Sequence, residues 1–187
     1  MKTILEGVTG TGKSHTIAAL RRLGLAPPVV VDEEETFGDV MSELAEGTKA
    51  DGVFVRRLVS VLGRLNAEKH PSFLLERFHL SYYALAPEWT RYDDIDRRLA
   101  DLGVSLVLLV VDDDSLRARS LCRAEYGGQD WQDFARLYGS EAKALTALRD
   151  SQHRRLEALA KTRLRHLTIN TGDRMWDDYA KTLSSFA

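Results

Sequence analysis

A doubly wound α/β fold, built on a five-stranded parallel sheet flanked by helices, is predicted by three features of this 187-residue chain. Short apolar runs alternate with stretches of helical periodicity along its length. Each run gives way to polar or charged residues, as expected for strands covered on both faces whose carboxyl ends open into loops. Residues 7–14 read Gly-Val-Thr-Gly-Thr-Gly-Lys-Ser and fill every fixed position of the phosphate-binding pattern G-x-x-x-x-G-K-[ST]. That segment lies between an apolar run and a helical one, the order such a loop requires.

The elements follow in sequence. Thr3–Glu6 reads as the first strand, and 13–23 as the first helix, with Ile17, Leu20 and Leu23 on one face and Gly24 at its end. Ala26-Pro27-Pro28 forms a stiff entry into a second strand, Val29–Asp32. Helical patterns at 38–46 and 53–66 lead to a third strand, Ser72–Arg77. Helices at 78–86 and 93–101 lead to a fourth, Ser105–Asp112. Patterns at 115–126 and 130–163, the latter broken near Tyr138-Gly139, precede the fifth strand, His166–Asn170, and a final helix over 174–185. There is no internal repeat, low-complexity tract or linker, so residues 1–187 are expected to form one domain with a lid region at about 113–130.

Composition narrows the function classes. With 44% hydrophobic and 29% charged residues, the chain has the make-up of a soluble globular protein. A net charge of −2, from 26 basic and 28 acidic residues, offers no duplex-binding surface, so no nucleic-acid partner is expected. The single cysteine, Cys122, excludes an intrachain disulfide, and the five histidines show no metal spacing. No apolar run approaches the ~20 residues that span a bilayer. The N-terminus runs directly into the first strand, leaving no room for a signal peptide, so a cytoplasmic location is expected.

The chemistry centres on the glycine loop. Gly7, Gly10 and Gly12 let the backbone turn so that successive N–H groups face a phosphate. Lys13 brings a cation to the terminal phosphates, and the Ser14 hydroxyl is a ligand for Mg²⁺. With Thr9, Thr11 and His15 these residues form the expected nucleotide-binding set, and the following helix adds its positive end. Glu76 ends an apolar strand, where an acid beside such a loop holds Mg²⁺ or its waters. Arg77 beside it suits a planar clamp for a substrate phosphate or hydroxyl. Asp112-Asp113-Asp114 follow the fourth strand and are expected to cap the next helix.

The segment Glu76-Arg77-Phe78-His79-Leu80-Ser81-Tyr82-Tyr83-Ala84 resembles the Asp-Arg-Tyr-x-x-Ser-x-x-Ala segment of thymidylate kinases. It is also similar to the Glu-Arg-Ser segment of deoxyribonucleoside kinases, and Leu5–Ser14 resembles both groups. The resemblance covers nearly the whole chain and implies a P-loop nucleoside or nucleotide kinase using ATP and Mg²⁺. It implies that Glu33 takes the proton from the attacking hydroxyl and that Arg77 holds the acceptor. It implies that Arg119 and Arg123, one helical turn apart, close over ATP with Arg117 nearby and Gly127-Gly128 as a hinge. It would build the acceptor pocket from helices 53–66 and 78–101. Phe37, Phe54, Tyr82, Tyr83, Trp89 and Tyr92 are candidate stacking surfaces there, at least half of them expected in the core. Arg91, Arg97 and Arg98 are candidate phosphate contacts. Dimerisation is common in the similar families and is not legible in one chain.

Three departures bear on the acceptor. Residue 34 is Glu where deoxyribonucleoside kinases have proline. Asp32 stands where thymidylate kinases carry arginine, and Thr9 where they carry an acid. A nucleoside or a non-nucleotide acceptor fits these positions at least as well as thymidylate. A GTPase switch is disfavoured, because Asp-x-x-Gly is absent and Asn170-Thr171-Gly172-Asp173 lacks the lysine of the guanine-reading motif. Three readings stand: a kinase of a nucleoside or nucleoside monophosphate, a kinase of another metabolite or an antibiotic, and a nucleotide-binding protein without turnover.

Overall fold

A computed structural model describes residues 1–37, 50–121 and 138–187. Five strands, β1 (Lys2–Glu6), β2 (Val29–Val31), β3 (Phe73–Glu76), β4 (Ser105–Val110) and β5 (His166–Asn170), form one parallel sheet in the order β2-β3-β1-β4-β5. From β1 the chain runs out to the edge at β2 and returns beside β1 as β3. It then crosses β1 to build the other half with β4 and β5. The direction of winding therefore reverses at β1, and the carboxyl end of that strand is where such sheets open a crevice. Leu5 pairs with Glu76 on one side and with Val107 on the other, so the ends of β3 and β4 flank the glycine loop.

Strand alternation builds two cores from one sheet. Ile4, Leu75, Leu106 and Leu108 face a cluster made by α3 (Ala50–Ala67), α4 (His79–Leu85) and α5 (Asp93–Asp101), including Phe54, Leu58, Phe78, Leu80, Ile95 and Leu99. Leu5, Leu74, Val107 and Leu109 face the opposite side. There α1 (Lys13–Arg22) supplies Ile17 and Leu20, and α8 (Trp176–Phe186) supplies Tyr179 and Leu183. Phe54, Tyr82, Tyr83 and Tyr92 are buried in the first core, and half-buried Trp89 packs against it. The hydroxyls of two of them are spent internally, Tyr82 donating to the Thr36 carbonyl at 2.7 Å and Tyr83 accepting from Lys161 at 2.6 Å. The Phe37 side chain lies outside the described residues.

The element limits differ from the sequence expectation where side chains capture the backbone. Strand β2 stops one residue early because Asp32 starts an unexpected short helix, α2 (Glu33–Phe37). The Asp32 carboxylate accepts from the Glu35 amide at 3.0 Å and its carbonyl from the Thr36 amide. After β4, α6 (Asp113–Leu116) passes into a π-helical turn at Arg117–Leu121, and the remainder of the expected helix to 126 lies outside the described residues, as does 38–46. Helix α7 (Glu141–Leu159) begins at the expected break, with Gly139 at φ 76° and Ser140 accepting from the Lys143 amide. It ends four residues before 163. Buried Asp96 there takes the Thr162 hydroxyl and, at 2.8 Å, the Arg163 amide. Burial alone would raise Asp96; hydrogen bonds from His79, the Arg163 amide and Thr162 instead hold it below the ordinary carboxylate range. Among the described residues, no helix is long and apolar enough to cross a membrane.

Leu106 is fully buried on central strand β4. Leu106→Ala is expected to cost about 3 kcal/mol, read as a lower urea midpoint at unchanged slope, because it opens a cavity that the sheet does not collapse to fill.

Candidate active site

The glycine loop joins β1 to α1 and is held in shape from within. Thr11 donates to the Val8 carbonyl through both its amide (3.3 Å) and its hydroxyl (2.9 Å), and the Thr16 hydroxyl caps the Gly12 carbonyl at 3.0 Å. Gly10 and Gly12 have φ of 91° and 90°, a region that side chains disfavour. Both are also crowded. A Cβ at Gly10 would sit 2.8 Å from the Arg119 carbonyl, and one at Gly12 would run into the Trp176 indole. Helix α1 starts at Lys13, so its first amides have no partner in a preceding turn and, with the helix dipole, form an anion cradle. The Ser14 side chain is exposed beside that cradle, while His15 is half-buried one residue on.

Lys13 is buried and donates to the Gly7 carbonyl at 3.2 Å, across the mouth of the loop. Burial first, then the charge of Arg77, pulls its ammonium down to about 8. Burial likewise pushes the Glu76 carboxyl up, against the opposing pull of Lys13. Each group lacks what a bound Mg²⁺-phosphate would supply to it. The donor set fits that group: one hydroxyl, one carboxylate, one buried cation and a run of free helix amides.

Strand β3 delivers Glu76, and the next residue bends into the site. Arg77 adopts φ 56°, rare for a residue with a side chain, while its amide continues the sheet to the Leu5 carbonyl at 3.0 Å. Its guanidinium bridges the glycine loop and α2, donating to the Thr9 hydroxyl at 3.2 Å and pairing through Nε with Glu33 at 2.9 Å. Of the four acids at 32–35, Asp32 caps α2, Glu34 is exposed, and Glu35 pairs with Arg64. Glu33 pairs with Arg77, and its side chain is 43% exposed.

Beneath the loop lies an ion pair that sequence reasoning did not single out. Glu6, the last residue of β1, is fully buried and accepts from the Phe78 amide (2.8 Å), the Ser81 amide (3.2 Å) and the Ser81 hydroxyl (2.7 Å). Arg155 from α7 is 2% exposed, approaches Glu6 at 3.3 Å and donates to the Ser81 hydroxyl at 2.9 Å. Burial draws the Arg155 guanidinium down to about 10 despite the Glu6 charge beside it. The position of Glu6, a carboxylate ending a buried strand, was a usable signal; Arg155 sits in an ordinary charged helix pattern and gave none.

The other flank of the loop is closed by β5 and the helix after β4. The Thr171 hydroxyl donates to the Thr11 carbonyl at 2.8 Å, and Ser120 to the Thr9 carbonyl at 2.6 Å. Arg119 is buried, donates to the Thr171 carbonyl and lies 5.5 Å from the Trp176 ring centre. The His15 ring stacks on the same indole at 5.0 Å. Arg119 thus stands on the β5 side of the loop, across from the Glu33–Arg77 side. Arg117 pairs with Glu141 at 2.6 Å, and Arg123 and Gly127-Gly128 lie outside the described residues. Asp112 occupies the N-cap position of α6 through its carbonyl, but its carboxylate is taken by Asn170 at 2.9 Å, so side-chain capping there is not observed. Arg91 pairs with Glu88, Arg97 with Asp94 and Asp101, and Arg98 with Asp94.

Solved structures share this architecture. The YorR protein from Bacillus subtilis, in complex with phosphorylated GDP, shares it at a TM-score of 0.64 and 18% identity, over 97% of this chain and 92% of that one. A gluconokinase from Sinorhizobium meliloti 1021 shares it at 0.55 and 16% identity, over 98% and 93%. No family model and no curated protein matches the sequence. At such identities the likeness establishes the fold.

Glu6→Gln leaves Arg155 charged and unpaired in the interior. It is expected to cost about 3–5 kcal/mol in chemical denaturation, and Arg155→Met in that background should return part of the loss.

Proposed function

We propose that this protein is an ATP- and Mg²⁺-dependent kinase of a small molecule, its acceptor a nucleoside or nucleoside monophosphate as the resemblance to deoxyribonucleoside and thymidylate kinases implies. The observation that carries this reading is the convergence of Glu76, Arg77 and Glu33, from β3 and α2, on the loop that carries Lys13 and Ser14. A phosphate cradle and an acceptor-side carboxylate then share one cleft, which phosphoryl transfer needs and simple nucleotide binding does not. Gly7, Thr9, Gly10, Thr11, Gly12 and the first amides of α1 would hold the triphosphate, His15 lining its edge. Ser14 and Glu76 would hold Mg²⁺, which neutralises charge on the transferring group. Glu33 would accept the acceptor's proton, and Arg77 would position the acceptor. Arg119 and Arg123 would approach from the lid side, Arg119 nearer the base than the γ-phosphate. The reading extends to a cytoplasmic enzyme, with a homodimer as its assembly.

A second reading is favoured by one observation. Four of the six aromatics proposed as stacking surfaces are core residues, which leaves fewer faces for a base. A gluconokinase shares the scaffold, and fold alone does not choose the acceptor.

Transfer from γ-labelled ATP to nucleosides, monophosphates, polyols and antibiotic alcohols tests the proposal. Lys13→Ala should lower transfer about 10³-fold, Glu33→Gln by roughly 10²–10⁴, and Arg123→Ala by roughly 10³, with circular dichroism unchanged. Full activity in Lys13→Ala would sink the mechanism. Phosphate binding favours the charged ammonium of Lys13, so ATP affinity should be highest below pH 8 and fall above it by up to about tenfold per unit. Lys13→Met should flatten that profile in calorimetric titrations.

A further inference from the structure

We infer that two buried hydroxyls outside the glycine loop, those of Ser120 and Thr171, aim the Gly10 and Gly12 amides at the nucleotide's phosphates and are positioning residues for the transfer. The inference rests on the kinase reading above and gives a role to two side chains which that reading leaves without one. A trans peptide plane carries its C=O and its N–H on opposite sides, so whatever captures one residue's carbonyl sets the direction of the next residue's amide. The described residues contain no cis peptide. The Gly10 amide therefore points away from whatever holds the Thr9 carbonyl, and the Gly12 amide away from whatever holds the Thr11 carbonyl.

Sterics alone leave both planes free to turn. Gly10 and Gly12, at φ 91° and 90°, accept either sign of φ at little cost, so a flipped plane meets no side-chain penalty on its glycine side. The loop and the first turn of α1 hold the Val8 and Gly12 carbonyls themselves, through Thr11 and Thr16. The carbonyls of Thr9 and Thr11 are met from distant segments instead. Ser120, in the π-helical turn after α6, donates to the first at 2.6 Å, and Thr171, just beyond β5, donates to the second at 2.8 Å. Both side chains are fully buried. The Thr171 hydroxyl also lies 3.2 Å from the Val110 carbonyl. That carbonyl already accepts the Thr171 amide at 2.9 Å, which leaves the single hydroxyl proton to the shorter contact. Ser120 presses directly on the loop, since a Cβ at Gly10 would lie 2.3 Å from its hydroxyl. Arg119 donates to the Thr171 carbonyl and so ties the two segments together.

Among the described residues no hydrogen bond engages the Gly10 or Gly12 amide, although both glycines are buried. Backbone N–H groups in such places are nearly always paired. Two left open, with the carbonyl of each plane pinned on the far side, are donors held for an anion.

The test titrates inorganic tripolyphosphate, which has no base, and ATP, each with Mg²⁺, into the full chain by calorimetry. Ser120→Ala and Thr171→Val should each weaken both ligands about fivefold, while Thr171→Ser, which keeps the hydroxyl, should stay within about twofold of wild type. Urea denaturation is run alongside. A lower midpoint in Ser120→Ala and Thr171→Val with tripolyphosphate affinity unchanged makes the hydroxyls merely structural, which overturns the inference and leaves the kinase reading standing. Where a variant fails to fold, amide spectra of the ¹⁵N-labelled wild-type chain decide. The Gly10 and Gly12 N–H resonances should be among those that move most on saturation with tripolyphosphate, and no movement in either overturns the inference. Wild-type protein that binds neither ligand removes the kinase reading itself, and the inference with it.

Discussion

The buried carboxylate of Glu6 is the contact on which the geometry of the site depends. It is the last residue of β1 and the residue before the glycine loop, so whatever fixes Glu6 fixes where the loop begins. It is fixed by the first turn of α4, through the Phe78 and Ser81 amides, and from α7 by Arg155. Those amides follow directly on Glu76-Arg77. Glu76 and Arg77 are therefore tied to the loop through a single carboxylate, as well as through the β1–β3 ladder. Ion pairs this deep seldom add stability over an apolar replacement. What this one supplies is position, and the left-handed turn at Arg77 persists because its surroundings are so fully determined.

The electrostatics of the site are incomplete in a directed way. Lys13 is held near 8 by burial and by Arg77, and Glu76 is pushed up by burial. An anion at the loop would return Lys13 to its charged form, and a cation beside Glu76 would return the carboxylate to its own. Preorganised groups of this kind cost little to rearrange when charge develops, which is how phosphoryl transfer is accelerated where the protein contributes almost no covalent chemistry. The loop is also clamped on both flanks, by Arg77 and Ser120 on Thr9 and by Thr171 on Thr11, so the end of β3, the turn after α6 and the end of β5 each touch it.

Much of this was legible in the sequence because it follows from local rules. The glycine spacing, the apolar runs and the acid ending β3 each carry their meaning within a few residues, and the sheet formed as those runs implied. What escaped lay in contacts between distant segments. Arg155 is 149 residues from Glu6, and no periodicity distinguishes it from its exposed neighbours. Trp176 has no signal marking it as the wall behind Gly12. The resemblance singled out Glu33 but not the helix that carries it: Asp32 caps α2, and Glu33 on its first turn pairs with Arg77. The charges of α5 looked available in sequence and proved to be matched within their own turns.

A crystal structure of the protein with Mg²⁺ and a non-hydrolysable ATP analogue tests the central claim most directly. The account predicts β- and γ-phosphates on the amides of Gly10 to Ser14, with Lys13 Nζ released from the Gly7 carbonyl onto a phosphate oxygen. It also predicts the metal beside Ser14 and Glu76. A saturating analogue bound elsewhere, or a loop that keeps the Lys13–Gly7 contact with nucleotide present, would contradict it.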